Sequence, residues 1–196
     1  SIDYYAIAMT TMIALYSVMS ASSLFRSERT RNTAIRLMAA PVRKGDIFIG
    51  KIVGCTFINL LCVVAVVLFS KFAFGADWGD HYGPVFLVLL TEVVLAVSLG
   101  LGVSFLVKGD GAGAIMTIFT QIASFIGGAY FPIGDTEGFM TVLTQLSPLR
   151  WANTALTQII YNDNLAAVWP AVLLNIGVAA VFLTVAVISI RKREAF

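Results

Sequence analysis

Residues 52–70, IVGCTFINLLCVVAVVLFS, decide the fold, because this run of 19 residues contains no charged side chain. A helix rises 1.5 Å per residue, so about 20 such residues cross the roughly 30 Å of hydrocarbon in a bilayer. Four further runs have the same character, and Glu92 is the one charged residue in them. The sequence therefore predicts an all-α polytopic membrane helix bundle, formed by a single transmembrane domain over residues 1–196. Its five transmembrane helices are expected at about 4–25, 47–70, 84–107, 112–134 and 168–190.

The composition supports a membrane setting and argues against a soluble domain. Hydrophobic residues make up 59% of the chain and charged residues 12%, whereas soluble domains average about 45–50% and about 25%. The net charge of +2 is small, and it does not indicate a nucleic-acid partner. This composition predicts that the chain is surrounded by membrane lipid.

Basic residues set the predicted orientation, because lysine and arginine collect on the cytoplasmic side of membrane proteins. The predicted outer side has only Lys71 and Arg150, together with most of the acidic residues. The other basic residues are Arg26, Arg29, Arg31, Arg36, Arg43, Lys44, Lys51, Lys108, Arg191, Lys192 and Arg193. We therefore predict a multi-pass protein of the cell membrane, with the amino end outside and the carboxyl end in the cytoplasm. Because Ser1 then starts outside, we also expect an upstream span, giving six in the full chain.

Residues 27–46, between the first two predicted spans, have the pattern of a cytoplasmic surface helix. At 100° per residue, Arg29, Thr33 and Arg36 share one face, and apolar residues share the other. Pro41 ends the helix, because proline lacks the amide donor and disfavours helix in the residue before it. The segment is interpreted as a docking element for a partner. A basic loop that only follows the charge rule is the alternative.

Glycines and a polar outer segment add two further expectations. Gly50, Gly54 and Gly100 belong to rows of small residues spaced four apart, which in lipid let helices pack closely. Residues 131–165 contain helix-breaking prolines and apolar residues that would share one face of a helix. We expect them to form two short re-entrant helices that enter the outer leaflet. An extracellular loop with interfacial aromatic residues is the alternative.

Glu92 is the one carboxylate well inside a predicted span. Facing lipid would cost about 2.5–3.5 kcal/mol on insertion scales, so the side chain should face the bundle, a cavity or a partner. A role in helix packing and a role in a transport pathway both fit the sequence. The glutamate stands alone, which argues against a catalytic group of residues.

Two ordered sets of residues carry a resemblance to a known family. The cytoplasmic set is Glu28-Arg29, Thr33, Leu37, Pro41 and Gly50-Lys51. The outer set is Gly127-Gly128, Phe131-Pro132, Ser147-Pro148-Leu149 and Ala155-Leu156. In this order they resemble the coupling loop and the re-entrant outer hairpin of type-2 ATP-binding-cassette (ABC) exporter permeases. Asn32 departs from the pattern, since a glycine commonly precedes the threonine there.

The resemblance implies a permease subunit of an ABC exporter, which moves a substrate out of the cytoplasm. It implies two partners: a cytoplasmic ABC ATPase subunit, and a second permease subunit that is identical or different. ATP and Mg²⁺ would bind to the ATPase, and this chain would hold no cofactor, no metal and no catalytic residue; its sequence has no GxxxxGK[ST] phosphate-binding motif. The residues implied to contact the ATPase are Glu28, Arg29, Thr33, Arg36, Leu37, Pro41, Arg43 and Lys44.

Other classes of membrane protein fit the sequence less well. An ion-coupled secondary transporter normally has several intramembrane ionisable groups or paired broken helices, and here Glu92 stands alone. A membrane enzyme needs a cluster of catalytic groups, and the chain has one histidine and two cysteines. A purely structural membrane subunit is the remaining alternative. The transported substrate is left open.

Overall fold

The computed structural model describes residues 2–30, 44–107, 111–130, 142 and 144–194. Over these ranges the chain forms α-helices joined by short connections and contains no strand, so the predicted all-α class is confirmed. A short 3₁₀ turn, Leu165–Ala167, leads into the last helix. The helices are α1 Ile2–Thr30, α2 Lys44–Phe74, α3 Tyr82–Leu106, α4 Gly111–Ile126, α5 Pro148–Asn162 and α6 Val168–Glu194.

Four of these helices are long and apolar enough to cross a membrane. The apolar stretches are Ile2–Leu24, Gly45–Phe74, Tyr82–Leu106 and Leu165–Ser189. Each has at least 23 residues, more than the roughly 20 that a bilayer requires. The predicted membrane helix bundle is thereby confirmed.

The fourth predicted span, 112–134, differs from the helix found there. Helix α4 has 16 residues and stops at Ile126, so it is about 24 Å long, short of the roughly 30 Å of a full crossing. The helix stops because a glycine pair follows, and Gly128 takes a φ of 82° that favours glycine and ends helices. Residues 131–134 of the predicted span lie outside the described ranges.

The first helix also extends beyond its predicted end. We expected a span to residue 25 and a separate surface helix from residue 27, but α1 is one continuous helix to Thr30. Residues 25–30 contain neither glycine nor proline, so nothing in the local sequence interrupts the helix. Glu28 and Arg29 therefore belong to the same helix as the first span. Residues 31–43, which hold the rest of the predicted surface helix, lie outside the described ranges.

Helix α3 forms the centre of the bundle. It packs most extensively against α6 and α1, and it also contacts α2 and α5. In its most apolar stretch 78% of residues are buried, against 11% in α2. Most of the surface of α2 is therefore left uncovered by the described part of the chain, whereas α3 is shielded by protein.

Close contact around α3 depends on two of its glycines. A Cβ atom on Gly100 would lie 2.3 Å from the carbonyl oxygen of Val18 in α1, and one on Gly102 would lie 2.8 Å from the Phe182 ring in α6. Gly50 and Gly54 differ from Gly100, because no atom of the described chain lies within 4 Å of a Cβ built on either. Among the described glycines of α2 and α3, only Gly100 and Gly102 are therefore in tight contact with another helix. Just after α4, Gly127 is also closely packed, because a Cβ atom there would lie 2.6 Å from the Leu149 side chain.

Gly100→Ala should destabilise the bundle, because its methyl group has to push α1 away from α3. Overpacking of this kind costs about 1–3 kcal/mol. Gly54→Ala is the matched control, and it should be neutral or stabilising by up to about 1 kcal/mol, since alanine favours helix over glycine. Thermal unfolding of the detergent-solubilised protein measures both. Equal melting temperatures for the two variants would contradict the packing assigned to Gly100.

Candidate functional site

Helix α5, within the predicted re-entrant segment, packs one side against the bundle. Apolar residues recur every three or four positions, which places them on one helix face. Ser147 precedes the helix and Pro148 occupies its first turn, where a missing amide donor costs nothing. The buried residues are Leu149, Ala152, Asn153, Ala155, Leu156 and Ile159. They lie against α1, α3, α4 and α6.

Asn153 ties three parts of the bundle together. Its side-chain amide donates to the carbonyl oxygen of Gly127, at 3.2 Å. Its side-chain oxygen accepts a hydrogen bond from the hydroxyl of Thr11 in α1. Both hydrogen bonds are buried, so a polar side chain on the apolar face of α5 is satisfied by α1 and by the end of α4.

Carbonyl groups at and after the end of α4 are bonded by the backbone amides of residues 127–129 and by side chains from other parts of the chain. Ser147 donates its hydroxyl to the carbonyl of Ala123, at 2.8 Å, and Tyr4 donates to the carbonyl of Gly128, at 2.6 Å. Helix ends leave carbonyls without partners, and in hydrocarbon each one costs several kcal/mol. These bonds allow α4 to stop inside the bundle. The arrangement has the shielded, non-helical backbone expected of a re-entrant segment, although residues 131–141 and 143 lie outside the described ranges.

A row of polar side chains lies on the exposed surface of the bundle, where α1 and α4 meet. Gln121 donates its amide to the Tyr16 hydroxyl, at 3.0 Å. Tyr130 donates its hydroxyl to the Gln121 side-chain oxygen, at 2.9 Å. Gln121 and Tyr130 are exposed and Tyr16 is half-buried. We call Tyr16, Gln121 and Tyr130 the α1–α4 strip.

The α1–α4 strip is polar where neighbouring residues of α4 are apolar. Ile118, Ile122 and Phe125 are each more than half exposed beside it. Exposed amide and hydroxyl groups are unfavourable against lipid tails, which offer them no hydrogen bonds. The strip is therefore suited to water, to a polar passenger molecule or to another protein chain.

Glu92 lies in the core of the bundle, on α3. Its exposure is 0%, and neither carboxylate oxygen has a hydrogen-bond partner. The preceding residue, Thr91, accepts a hydrogen bond from the amide of Asn175 in α6, at 3.3 Å. No group of three potential metal ligands occurs in the described part of the chain. Glu92 thus faces the bundle interior and not lipid.

The predicted contact residues for the ATPase lie at or beyond the described helix ends. Glu28 and Arg29 are in the last turn of α1, and Lys44 is the first residue of α2. Thr33, Arg36, Leu37, Pro41 and Arg43 lie outside the described ranges. The structure places the two ends of this segment on the longest helices, and the contact role of its residues stays a prediction.

Sequence reasoning missed the polar contacts of Thr11, Gln121 and Asn153. These side chains are uncharged, so they do not stand out in the apolar runs as Glu92 does. A signal existed for two of them. Gln121 is the only amide side chain in the uncharged run 112–134, and Asn153 falls on the apolar face of an amphipathic helix. A polar residue in such a position needs a partner from another helix. Nothing in the sequence indicated which helix supplies it.

The family model described as ABC-2 family transporter protein matches residues 1–188. The chain belongs to this family. It is therefore a membrane-embedded part of an ABC transporter, and such domains are distinct from the ATPase. The resemblance drawn from the cytoplasmic and outer motifs is confirmed at the level of the family.

Two curated proteins are similar to this ABC-2 chain. The linearmycin resistance permease protein LnrN of Bacillus subtilis is 23% identical over 160 residues, covering 80% of this chain and 41% of LnrN. ABC transporter G family member 20 of Dictyostelium discoideum is 21% identical over 198 residues, covering 98% of this chain and 27% of that protein. The chain thus spans less than half the length of either relative. No solved structure matches.

Asn153→Ala should loosen α5 from the bundle, because it removes the donor to the Gly127 carbonyl and the bond from α5 to Thr11, whose hydroxyl then bonds only within α1. A buried group left unsatisfied costs about 1–3 kcal/mol. Asn162→Ala is the control, since Asn162 is exposed and bonds only within α5. Thermal unfolding and amide hydrogen exchange around Gly127 report the effect. Unchanged exchange there in Asn153→Ala would show that Asn153 does not anchor α5.

Proposed function

We propose that this chain is the permease subunit of an ABC exporter, which moves a substrate out of the cytoplasm while a separate ATPase subunit hydrolyses ATP. The family match supports the transporter class, and the relative LnrN is named a permease. ATP and Mg²⁺ are proposed to bind on the ATPase. The amino end is proposed to lie outside the cell membrane and the carboxyl end in the cytoplasm.

The observation that carries the coupling mechanism is the continuity of α1. Its 29 residues join Glu28 and Arg29 to Tyr16 and Tyr4 in one helix, about 43 Å long. A helix without a kink transmits displacement along its axis. A push on residues 28–44 from an ATPase would move α1 and α2 together, because the segment connects them. This motion would reach the outer contacts of α1 with α4 and α5.

The proposed transport pathway runs along the α1–α4 strip. Polar groups exposed at membrane depth mark water-filled or partner-facing surfaces in membrane proteins. The apolar residues Ile115, Ile118, Ile122 and Phe125 beside it are spaced three, four and three apart, and all are exposed. This spacing suits contact with another helix. We propose that a second permease subunit, identical or different, faces this surface and encloses the pathway.

Charge reversal at Arg29, Arg36, Arg43 and Lys44 tests the proposed ATPase contact. Each lost charge pair weakens binding by about 0.2–1 kcal/mol, so the fourfold glutamate variant should bind the ATPase about fourfold to nearly a thousandfold more weakly. Lys71→Glu is the control and should leave binding unchanged, because Lys71 is proposed to lie outside. Co-purification of the ATPase from membranes measures the effect.

Three results would contradict the proposal. The coupling assignment fails if the fourfold variant retains the ATPase at the wild-type level. The orientation fails if Lys71→Glu releases the ATPase and the fourfold variant does not. The ABC function itself fails if no ATPase accompanies the wild-type protein.

Gln121→Leu tests the α1–α4 strip as a pathway surface. The variant loses two hydrogen bonds and gains an apolar side chain, and each bond is worth about 0.5–1.5 kcal/mol. We expect the ATPase rate of the reconstituted complex to change about fivefold or more, without loss of ATPase binding. Gln145→Leu, the same substitution at an exposed position in the outer segment, is the control. Equal rates in both variants would remove the strip from the pathway.

A further inference from the structure

Glu92 is sealed inside the best-packed helix of the bundle. It lies ten residues from the start of α3 at Tyr82, which places it about 15 Å along the helix axis. Its exposure is 0%, and both carboxylate oxygens lack a hydrogen-bond donor. The side-chain oxygen of Asn175 also has no hydrogen-bond partner. Asn175 lies next to this part of α3, because its amide group donates to the hydroxyl of Thr91.

Ionisable groups on the surrounding helices do not pair with Glu92. Among the side chains that the structure describes, these groups on α1 are Asp3, Tyr4, Tyr5 and Tyr16, and on α2 they are Asp46, Lys51, Cys55, Cys62 and Lys71. On α5 they are Arg150 and Tyr161, and α4 and residues 168–189 of α6 have none. None of them donates a hydrogen bond to the Glu92 carboxylate. In the described core, no cation therefore bonds the Glu92 carboxylate.

A proton is the ligand that fits this site. An ionised carboxylate that is both unsolvated and unpaired is strongly unfavourable, whereas a neutral carboxylic acid avoids that cost. A cavity of about 590 Å³ between α1 and α2 is lined by other residues. A smaller one beside α4 and the start of α5 does not reach Glu92 either. A proton needs no cavity, because it adds no volume to the carboxyl group.

We propose that Glu92 is a proton-binding site of the bundle. In the sealed conformation the side chain is a neutral acid with the proton on a carboxyl oxygen. In any conformation that admits water to α3, the O–H bond breaks, the proton passes to water, and the remaining carboxylate is hydrated. The inference goes beyond the proposed exporter function and does not depend on an ATPase partner.

Infrared spectroscopy of the full-length protein in lipid nanodiscs tests the proposal directly. At about pH 8, where solvated carboxylic acids are ionised, the wild type should retain the C=O stretch of one protonated carboxylic acid. Glu92→Gln should lack this band and Glu92→Asp should shift it. Asp163→Asn is the control and should keep it, because Asp163 is 82% exposed.

Several outcomes would overturn the proposal. Absence of the band from the wild type at about pH 8 suffices, whether or not any variant folds. A band that persists in Glu92→Gln assigns the proton to another group. Carboxylate bands of Glu92 that shift on adding sodium or potassium chloride would show a metal-cation site instead. A failed ATPase co-purification would contradict the exporter function and leave this result standing.

Discussion

Hydrocarbon cannot accept or donate hydrogen bonds, and this constraint shapes the least regular part of the bundle. Helix α4 stops after 16 residues, so carbonyl groups at its end need partners inside the protein. Backbone amides of residues 127–129 bond carbonyls of its last turn, and Tyr4, Ser147 and Asn153 add bonds from outside α4. The positions of α1 and α5 therefore depend on each other through the end of α4. Together these contacts form the outer part of the fold around the central helix α3.

The same constraint separates structural polar groups from functional ones. Many hydroxyl groups in the spans bond the carbonyl one turn earlier, as Thr120 and Ser98 do, and need nothing else. The α1–α4 strip is exposed where lipid would leave it without further partners, and Glu92 is buried without any. These two features fit a transporter, which must bring water or polar cargo to surfaces that a static bundle would keep apolar.

The family-level resemblance and the packing supply complementary parts of the mechanism. The ABC-2 match identifies the transporter class, and the packing shows how motion could spread. Helix α1 contacts α2, α3, α4 and α5, and Gly100 brings its backbone against α3. A displacement of α1 would therefore also displace most of the other helices. An element with so many tight contacts moves its neighbours instead of sliding past them.

The sequence by itself determined the fold class, the number of apolar runs and the position of most helices. Crossing a membrane requires long uncharged stretches, and these can be read from the sequence whichever helices pack together. It also predicted a re-entrant segment over residues 131–165, through prolines and paired glycines, and most of the start of that segment lies outside the described ranges. Only the tertiary structure decided that α4 ends at Ile126, that α1 continues past residue 25, and that Asn153 bonds Thr11 and Gly127. These outcomes depend on which helices become neighbours. Hydropathy records the preference of each segment for lipid, but in a solvent that is apolar everywhere it does not record the preference of one helix for another.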